Sequence, residues 1–152
     1  MVISMKQNFR FLSGVLVLLV GLTCSAQTIT IHVTTDRGKP LEKRKVSVSL
    51  EGFKNGQPVG NGQVAETDQY GEAKFTFPSP SPEHFFFYVD LGSPYWYCSC
   101  NGIPRTGEVV QTGIVLSAGY SHNSFAPKPG ELLIVAREYS FIKRLLYPFM
   151  KD

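Results

Sequence analysis

Hydrophobic and polar residues alternate along most of this chain, which is typical of strands that bury one face. In residues 28–34, for example, Ile29, Ile31 and Val33 alternate with polar residues. Residues 46–50 alternate in the same way, and further strand-like runs rich in apolar or aromatic residues cover 84–91, 95–100, 107–117 and 131–137. Turn residues separate these runs. The pattern therefore predicts an all-β protein, a β-sandwich of about seven short strands.

The most informative stretch covers residues 63–77, where two alternating runs flank a predicted turn from Asp68 to Gly71. Asp can bond its own backbone, and Gly can adopt the positive φ that closes a turn. We interpret the stretch as a hairpin. Its apolar face, which must be covered by a second sheet, carries Ala73, Phe75 and Phe77.

Two segments rich in Gly, Pro and Asn interrupt the strands and are predicted to be loops. Residues 52–62 contain Asn55-Gly56 and a second Asn-Gly pair, and residues 118–130 end in Pro-Lys-Pro-Gly. Such residues favour turns because of their backbone preferences. We therefore expect irregular structure in both segments.

The N-terminus has the order of a secretory signal peptide. Lys6 and Arg10 precede an apolar run over residues 11–20, and small residues follow up to a cleavage site before Gln27. The predicted division is a signal peptide over 1–26, a β-sandwich over 27–137 and a helical tail over 138–152. A retained membrane anchor and a lipoprotein acylated at Cys24 are the alternatives.

Removal of residues 1–26 changes the charge balance. Of the 15 basic residues, Lys6 and Arg10 would be lost, leaving 13 against 12 acidic residues and a net charge of +1 instead of +3. No basic run is interleaved with aromatic residues, so we expect no nucleic-acid partner. An exported chain would lie in the periplasm or outside the cell, in an oxidising compartment.

The chain resembles a known family over about residues 28–91, and three pieces carry the resemblance. They are Ile29-x-x-x-Val33-x-Thr35-Asp36-x-Gly38-Lys39-Pro40-Leu41, Val46-x-Val48-x-Leu50 and Thr67-Asp68-x-x-Gly71-x-Ala73-x-Phe75. They resemble the carboxypeptidase regulatory-like domains, which share a transthyretin-like, Ig-like sandwich with the collagen-binding B-type repeats of bacterial surface proteins. The resemblance implies an accessory, stalk or binding module, and it implies no catalytic residue.

Cys98 and Cys100 are the cysteines that remain after Gln27. On an extended strand their Cα atoms would lie about 6.5 Å apart, near the upper limit for a disulfide, although a turn would bring them closer. Three interpretations stay open: a structural pair of small side chains, a disulfide or redox pair, and a soft-metal site completed by His122 or Met150.

Other candidate chemistry is sparse. His32, His84 and His122 are scattered, and pairing one of them with Cys98 or Asp90 would be needed for catalysis. We therefore expect no enzyme activity and no cofactor.

Seven aromatic residues are concentrated in residues 85–97. Neighbours on a strand point to opposite faces, so about half of them should face outward. Exposed aromatic side chains can stack on sugars or anchor a protein partner. We predict a binding surface formed by Tyr88, Tyr95, Trp96 and Tyr97; coverage of this surface by the tail or a loop is the alternative.

The C-terminal tail has helical rather than strand periodicity. One predicted helical face carries Phe141, Ile142, Leu145, Leu146 and Phe149. A helix this short is marginal alone, so its apolar face needs a cover. We expect it to dock on the sandwich; contact with a membrane or a partner is the alternative.

Two function classes follow from the sequence. The first is an exported, non-enzymatic binding or structural module of the bacterial cell envelope, whose partner is a protein or a glycan. The second is a small envelope redox or metal-handling protein centred on Cys98 and Cys100.

Overall fold

The computed structural model describes residues 26–119 and 124–146, which fold mainly into strands with two short helices. Residues 1–25 of the predicted signal peptide lie outside the described residues. In chain order the elements are β1 (Gln27–Thr35), β2 (Lys45–Ser49), β3 (Phe53–Lys54), β4 (Gln57–Pro58), β5 (Gln63–Glu66), β6 (Glu72–Phe77), β7 (Phe86–Asp90), β8 (Trp96–Tyr97), β9 (Asn101–Gly102), α1 (Thr106–Gln111), β10 (Ile114–Ser117), β11 (Glu131–Glu138) and α2 (Phe141–Leu146). The all-β prediction is confirmed.

The first sheet is built around β1 and β11. Its strand order is β10, β11, β1 and β6, and β8 pairs with the end of β11. β1 runs antiparallel to β6 and parallel to β11, so its backbone is paired on both sides. Ile29 and Ile31 are fully buried, opposite Phe75 and Ala73 of β6. The period-two pattern of β1 thus gives one apolar face.

The second sheet has the order β5, β2, β7 and β9, with antiparallel neighbours throughout. Val46 and Val48 of β2 pair with Val89 and Phe87 of β7, and all four side chains are buried. Side chains from both sheets form a single apolar cluster. Removal of this apolar surface from water is the main term that stabilises the fold.

The predicted hairpin over residues 63–77 is wrong, although its turn and its buried face are right. β5 pairs with β2, whereas β6 pairs with β1 in the other sheet. The reason lies in the backbone hydrogen bonds on either side of the turn. The Thr67 N–H donates to the Arg44 carbonyl, which keeps the chain beside β2. The Val33 N–H then donates to the Gly71 carbonyl, which draws the chain to β1.

Gly71 is required at this crossing between the sheets. Its φ is +77°, and a Cβ atom placed there would lie 2.4 Å from the Val33 carbonyl oxygen. Asp68 closes the same turn, because its Oδ1 accepts hydrogen bonds from the Tyr70 and Glu72 N–H groups at 2.8 and 3.0 Å. The sequence prediction of a turn from Asp68 to Gly71 is therefore confirmed.

The prediction of one strand over residues 107–117 is wrong in its first half. α1 occupies that half, and strand β10 begins only at Ile114. The helix buries Val109 completely, and the Gly113 N–H donates to the carbonyls of Glu108 and Val109 where the helix ends. The packing of Val109 in the core thus outweighs the strand propensity of the adjacent residues Val109 and Val110.

The prediction that residues 52–62 are only a loop is also wrong in part, because β3 and β4, with two residues each, form a hairpin there. Its turn is Asn55-Gly56, with φ values of +52° and +73°. Positive φ at both central residues is the geometry that Asn-Gly favours in tight hairpins. The hairpin packs Phe53 against the ring of Tyr88, with the centroids 6.2 Å apart.

Candidate functional site

The aromatic residues of β7 and its flank divide between the core and the surface. Phe85 and Phe87 are buried, whereas Tyr88 keeps 36% of its surface exposed on the opposite face. Successive strand residues point to opposite faces, which explains the division. The predicted alternation is therefore confirmed along β7.

A short ladder between β8 and β11 positions the remaining aromatic residues. The strand predicted over residues 95–100 extends only over Trp96 and Tyr97, which pair with Glu138 and Arg137 respectively. The Tyr139 N–H donates to the Tyr95 carbonyl at 2.8 Å, which extends the pairing by one residue. The ladder fixes the backbone of this aromatic segment against the end of the first sheet.

Three of the four aromatic residues predicted to form a binding surface line one concave region of about 450 Å³. These three are Tyr88, Trp96 and Tyr97; Tyr95 is 36% exposed but lies outside the lining. We call this region the aromatic groove. Its full lining is Tyr88, Val89, Asp90, Leu91, Gly92, Ser93, Pro94, Trp96, Tyr97, Cys98 and Cys100.

Polar groups also line the aromatic groove. Asp90 accepts a hydrogen bond from the Gly92 N–H at 2.8 Å, and the Ser93 hydroxyl oxygen accepts one from the Tyr95 N–H at 3.3 Å. Asp90 is the one charged residue in the described lining. A few oriented polar groups beside apolar rings are typical of a small-molecule or saccharide site.

Cys98 and Cys100 also line the aromatic groove, and the structure joins them as a disulfide. Their Cα atoms are 5.0 Å apart, closer than on an extended strand, because residues 98–100 leave the strand geometry after Tyr97. Across residues 26–119 and 124–146, no group of three or more His, Cys, Asp or Glu side chains could hold a metal ion. His122 and Met150, the other ligands considered for such a site, lie outside these residues.

A second concave region of about 420 Å³ adjoins the aromatic groove at Tyr97. We call it the cationic cleft. Its lining is Asp36, Arg37, Tyr97, Arg137, Glu138, Tyr139, Ser140 and Lys143. No sequence pattern predicts this cleft, because its residues come from the turn after β1, from β8, from the end of β11 and from the chain that follows β11.

The expectation that the tail docks its apolar face on the rest of the protein is wrong for the residues described. Ile142, Leu145 and Leu146 are 68%, 64% and 47% exposed. α2 is held instead by its polar side, because Arg144 forms an ion pair with Glu138 and donates from Nε to the Tyr139 carbonyl at 3.0 Å. The side chain of Phe141 and the whole of Phe149 lie outside the described part of the chain.

The two described histidines lie in separate places. His32 Nδ1 is 3.1 Å from Glu131 Oε1, which links the side chains of β1 and β11. His84 Nδ1 is 3.9 Å from Glu83 Oε1 on the exposed approach to β7. Both of these contacts are with glutamates. Neither involves Cys98 or Asp90, the residues that a catalytic interpretation would pair with a histidine.

No family model, no curated protein and no solved structure matches this chain. The structure also contains no helix in residues 26–119 and 124–146 that is long and apolar enough to cross a membrane.

Proposed function

We propose that this chain is an exported, non-enzymatic β-sandwich module that binds a polysaccharide of the bacterial cell envelope in its aromatic groove. The single observation that carries this proposal is the convergence of Tyr88, Trp96 and Tyr97 on one concave surface. These residues come from β7 and from β8, which belong to different sheets. Their convergence is a property of the fold that a single aromatic strand would not produce.

The proposed fold follows the resemblance to the carboxypeptidase regulatory-like domains. In this proposal the two large sheets form a transthyretin-like sandwich, and their shared apolar cluster is its core. Domains of that kind are mostly accessory or binding modules. The signal-peptide pattern over residues 1–26 supports an exported location.

A saccharide is the partner that the chemistry of the aromatic groove favours. Tyrosine and tryptophan rings can pack against the apolar faces of sugar rings, while Asp90 and the Ser93 hydroxyl can bond sugar hydroxyl groups. The volume of about 450 Å³ lies in the range of small-ligand sites.

Co-sedimentation with isolated cell-wall polysaccharide tests the proposal. Tyr88→Ala and Trp96→Phe should both reduce the bound fraction, because each removes part of the aromatic lining. Tyr70→Ala is the matched control, since Tyr70 is 63% exposed on the turn before β6 and does not line the groove. Equal binding by all four proteins would exclude the aromatic groove, and binding to an envelope protein alone would replace the saccharide by a protein partner.

The disulfide beside the groove favours a second candidate function, thiol–disulfide exchange at the envelope. Cys98 and Cys100 are half-buried and pack against the apolar cluster, and attack of an external thiolate on either sulfur atom would open the bridge. Incubation with a dithiol reductant, followed by thiol titration of the folded protein, tests this candidate. Two thiols released while the fold is retained would support it, and a bridge that opens only after unfolding would reject it.

A further inference from the structure

We infer that the saccharide bound by this protein is acidic, with sugar rings in the aromatic groove and carboxylate groups in the cationic cleft. The inference rests on the proposed function, because it assigns the chemical class of the ligand for that site. It adds a second binding region that the sequence pattern did not indicate.

The two concave regions share one wall. Tyr97 lines both of them, and its ring stacks on the ring of Tyr139 with centroids 4.9 Å apart and planes inclined by 23°. Tyr139 in turn lines the cationic cleft. A saccharide chain that passes over Tyr97 would therefore contact both the groove and the cleft.

The charges of the cleft divide into paired and available groups. Asp36 is paired with Arg137 at 3.5 Å, and Glu138 is paired with Arg144. Both acidic side chains of the lining are thus compensated within the protein. The remaining charged lining residues are Arg37 and Lys143.

Arg37 and Lys143 are both accessible to a ligand. Arg37 is exposed at the turn after β1 and makes no ion pair within the described part of the chain. Lys143 is exposed on α2, with its Nζ 5.7 Å from the centroid of the Tyr139 ring. Two cations in the lining of one concave region of about 420 Å³ suit an anionic group.

Unlike the cationic cleft, the aromatic groove has no basic residue in its described lining, where Asp90 is the only charged residue. A ligand made of anionic groups alone would gain little there. A ligand that alternates sugar rings with carboxylates satisfies both regions, which is why we assign a uronic-acid type of saccharide and not an isolated phosphate or carboxylate.

Isothermal titration calorimetry with two probes tests this inference. The probes are an oligogalacturonate and a neutral malto-oligosaccharide of the same number of rings. We expect the acidic probe to bind more tightly, and we expect added salt to weaken its binding while leaving the neutral probe unaffected, because exposed ionic contacts are screened.

The variants separate the two regions. The double substitution Arg37→Gln with Lys143→Gln should weaken binding of the acidic probe by about ten-fold, since exposed ionic contacts are individually modest. Lys74→Gln is the matched control, because Lys74 is an exposed lysine of β6 outside both regions. Trp96→Ala should weaken binding of both probes, and a melting curve of each variant confirms that it is folded.

Each outcome has a definite meaning. Suppose that both probes bind with equal affinities that do not depend on salt, and that Trp96→Ala lowers these affinities whereas the double variant does not. This result would overturn the acidic ligand and leave the saccharide-binding groove in place. If the acidic probe binds more tightly and Trp96→Ala does not change its affinity, the combination of groove and cleft as one site is overturned, and the result counts against the groove. Failure of both probes to bind would overturn the inference and count against saccharide binding.

Discussion

The rings of Tyr97 and Tyr139 stack 4.9 Å apart across the junction between β8 and the end of β11. Tyr97 belongs to the strand that lines the aromatic groove, and Tyr139 follows the last strand and precedes α2. The stack thus connects the proposed binding surface to the C-terminal helix. Arg144 strengthens the same junction through its hydrogen bond to the Tyr139 carbonyl.

Tyr139→Ala should therefore loosen both the groove and the helix. Loss of a stacked aromatic pair costs about 0.5–1.5 kcal/mol beyond the loss of buried area, so the free energy of unfolding should fall by about 1–2 kcal/mol. Denaturant unfolding measures this change. Saccharide affinity should fall in the same variant, whereas Tyr70→Ala should change neither quantity.

Phe75→Ala should be among the most damaging single substitutions. Phe75 is 1% exposed and faces the apolar cluster from β6. Truncation of a buried phenylalanine costs about 3–5 kcal/mol through lost burial and the remaining cavity. The neighbour Lys74 points to the other face, so Lys74→Ala should change the unfolding free energy by less than about 0.5 kcal/mol. Similar unfolding curves for the two variants would contradict this register.

Much of the strand structure could be predicted because period-two alternation directly reports a half-buried strand. β1, β2, β6 and β7 follow such runs in the sequence, whereas β11 follows a continuous apolar run that is buried on both faces. The pairing of the strands could not be predicted in the same way. The alternation around Asp68 and Gly71 is the same whether β5 and β6 pair with each other or join different sheets. The choice depends on backbone contacts with Arg44 and Val33, which are distant in sequence.

The candidate site, too, could be predicted from the sequence only in part. The aromatic composition of residues 85–97 indicated the surface, because adjacent rings on a strand cannot all be buried. The cleft beside it depends on the register in which Tyr97 meets Arg137, and no local pattern encodes that pairing. The orientation of α2 has a different cause: the apolar stripe predicts which face needs a cover, but not that Glu138 and Tyr139 hold Arg144 on the polar face of the helix.

Asp68 should make stability depend on pH in the acid range. Hydrogen bonds from the Glu72 and Tyr70 N–H groups lower the pKa of its carboxyl group below its ordinary value, with a smaller contribution from Lys74. A lowered folded-state pKa stabilises the fold above the ordinary carboxyl pKa. That contribution is lost as the pH falls through the lowered value.

Asp68→Asn isolates this charge effect, because it retains a side-chain oxygen that can accept the same hydrogen bonds. The melting temperature of the variant should lie below that of the unmodified protein at neutral pH. The two should converge as the pH falls into the acid range. A difference that stays constant with pH would show that the charge of Asp68 does not contribute.

Replacing Cys98 and Cys100 together by serine should leave the fold intact. The bridge closes a very short loop, with a sequence separation of 2, so its effect on the unfolded chain should be only about 1–2 kcal/mol. Circular dichroism and denaturant unfolding of the double variant measure this effect. Complete loss of folding would mean that the bridge organises more of the structure than its own loop.

The most direct measurement of the central claim uses the fluorescence of Trp96, the single tryptophan of the chain, which lines the aromatic groove. Titration with cell-wall saccharide should change its emission in a saturable way, and the midpoint should move to higher saccharide concentration in Tyr88→Ala but not in Tyr70→Ala. Saccharide binding detected by calorimetry without any change in Trp96 emission, or with the same midpoint in all three proteins, would contradict the assignment of the groove as the binding site.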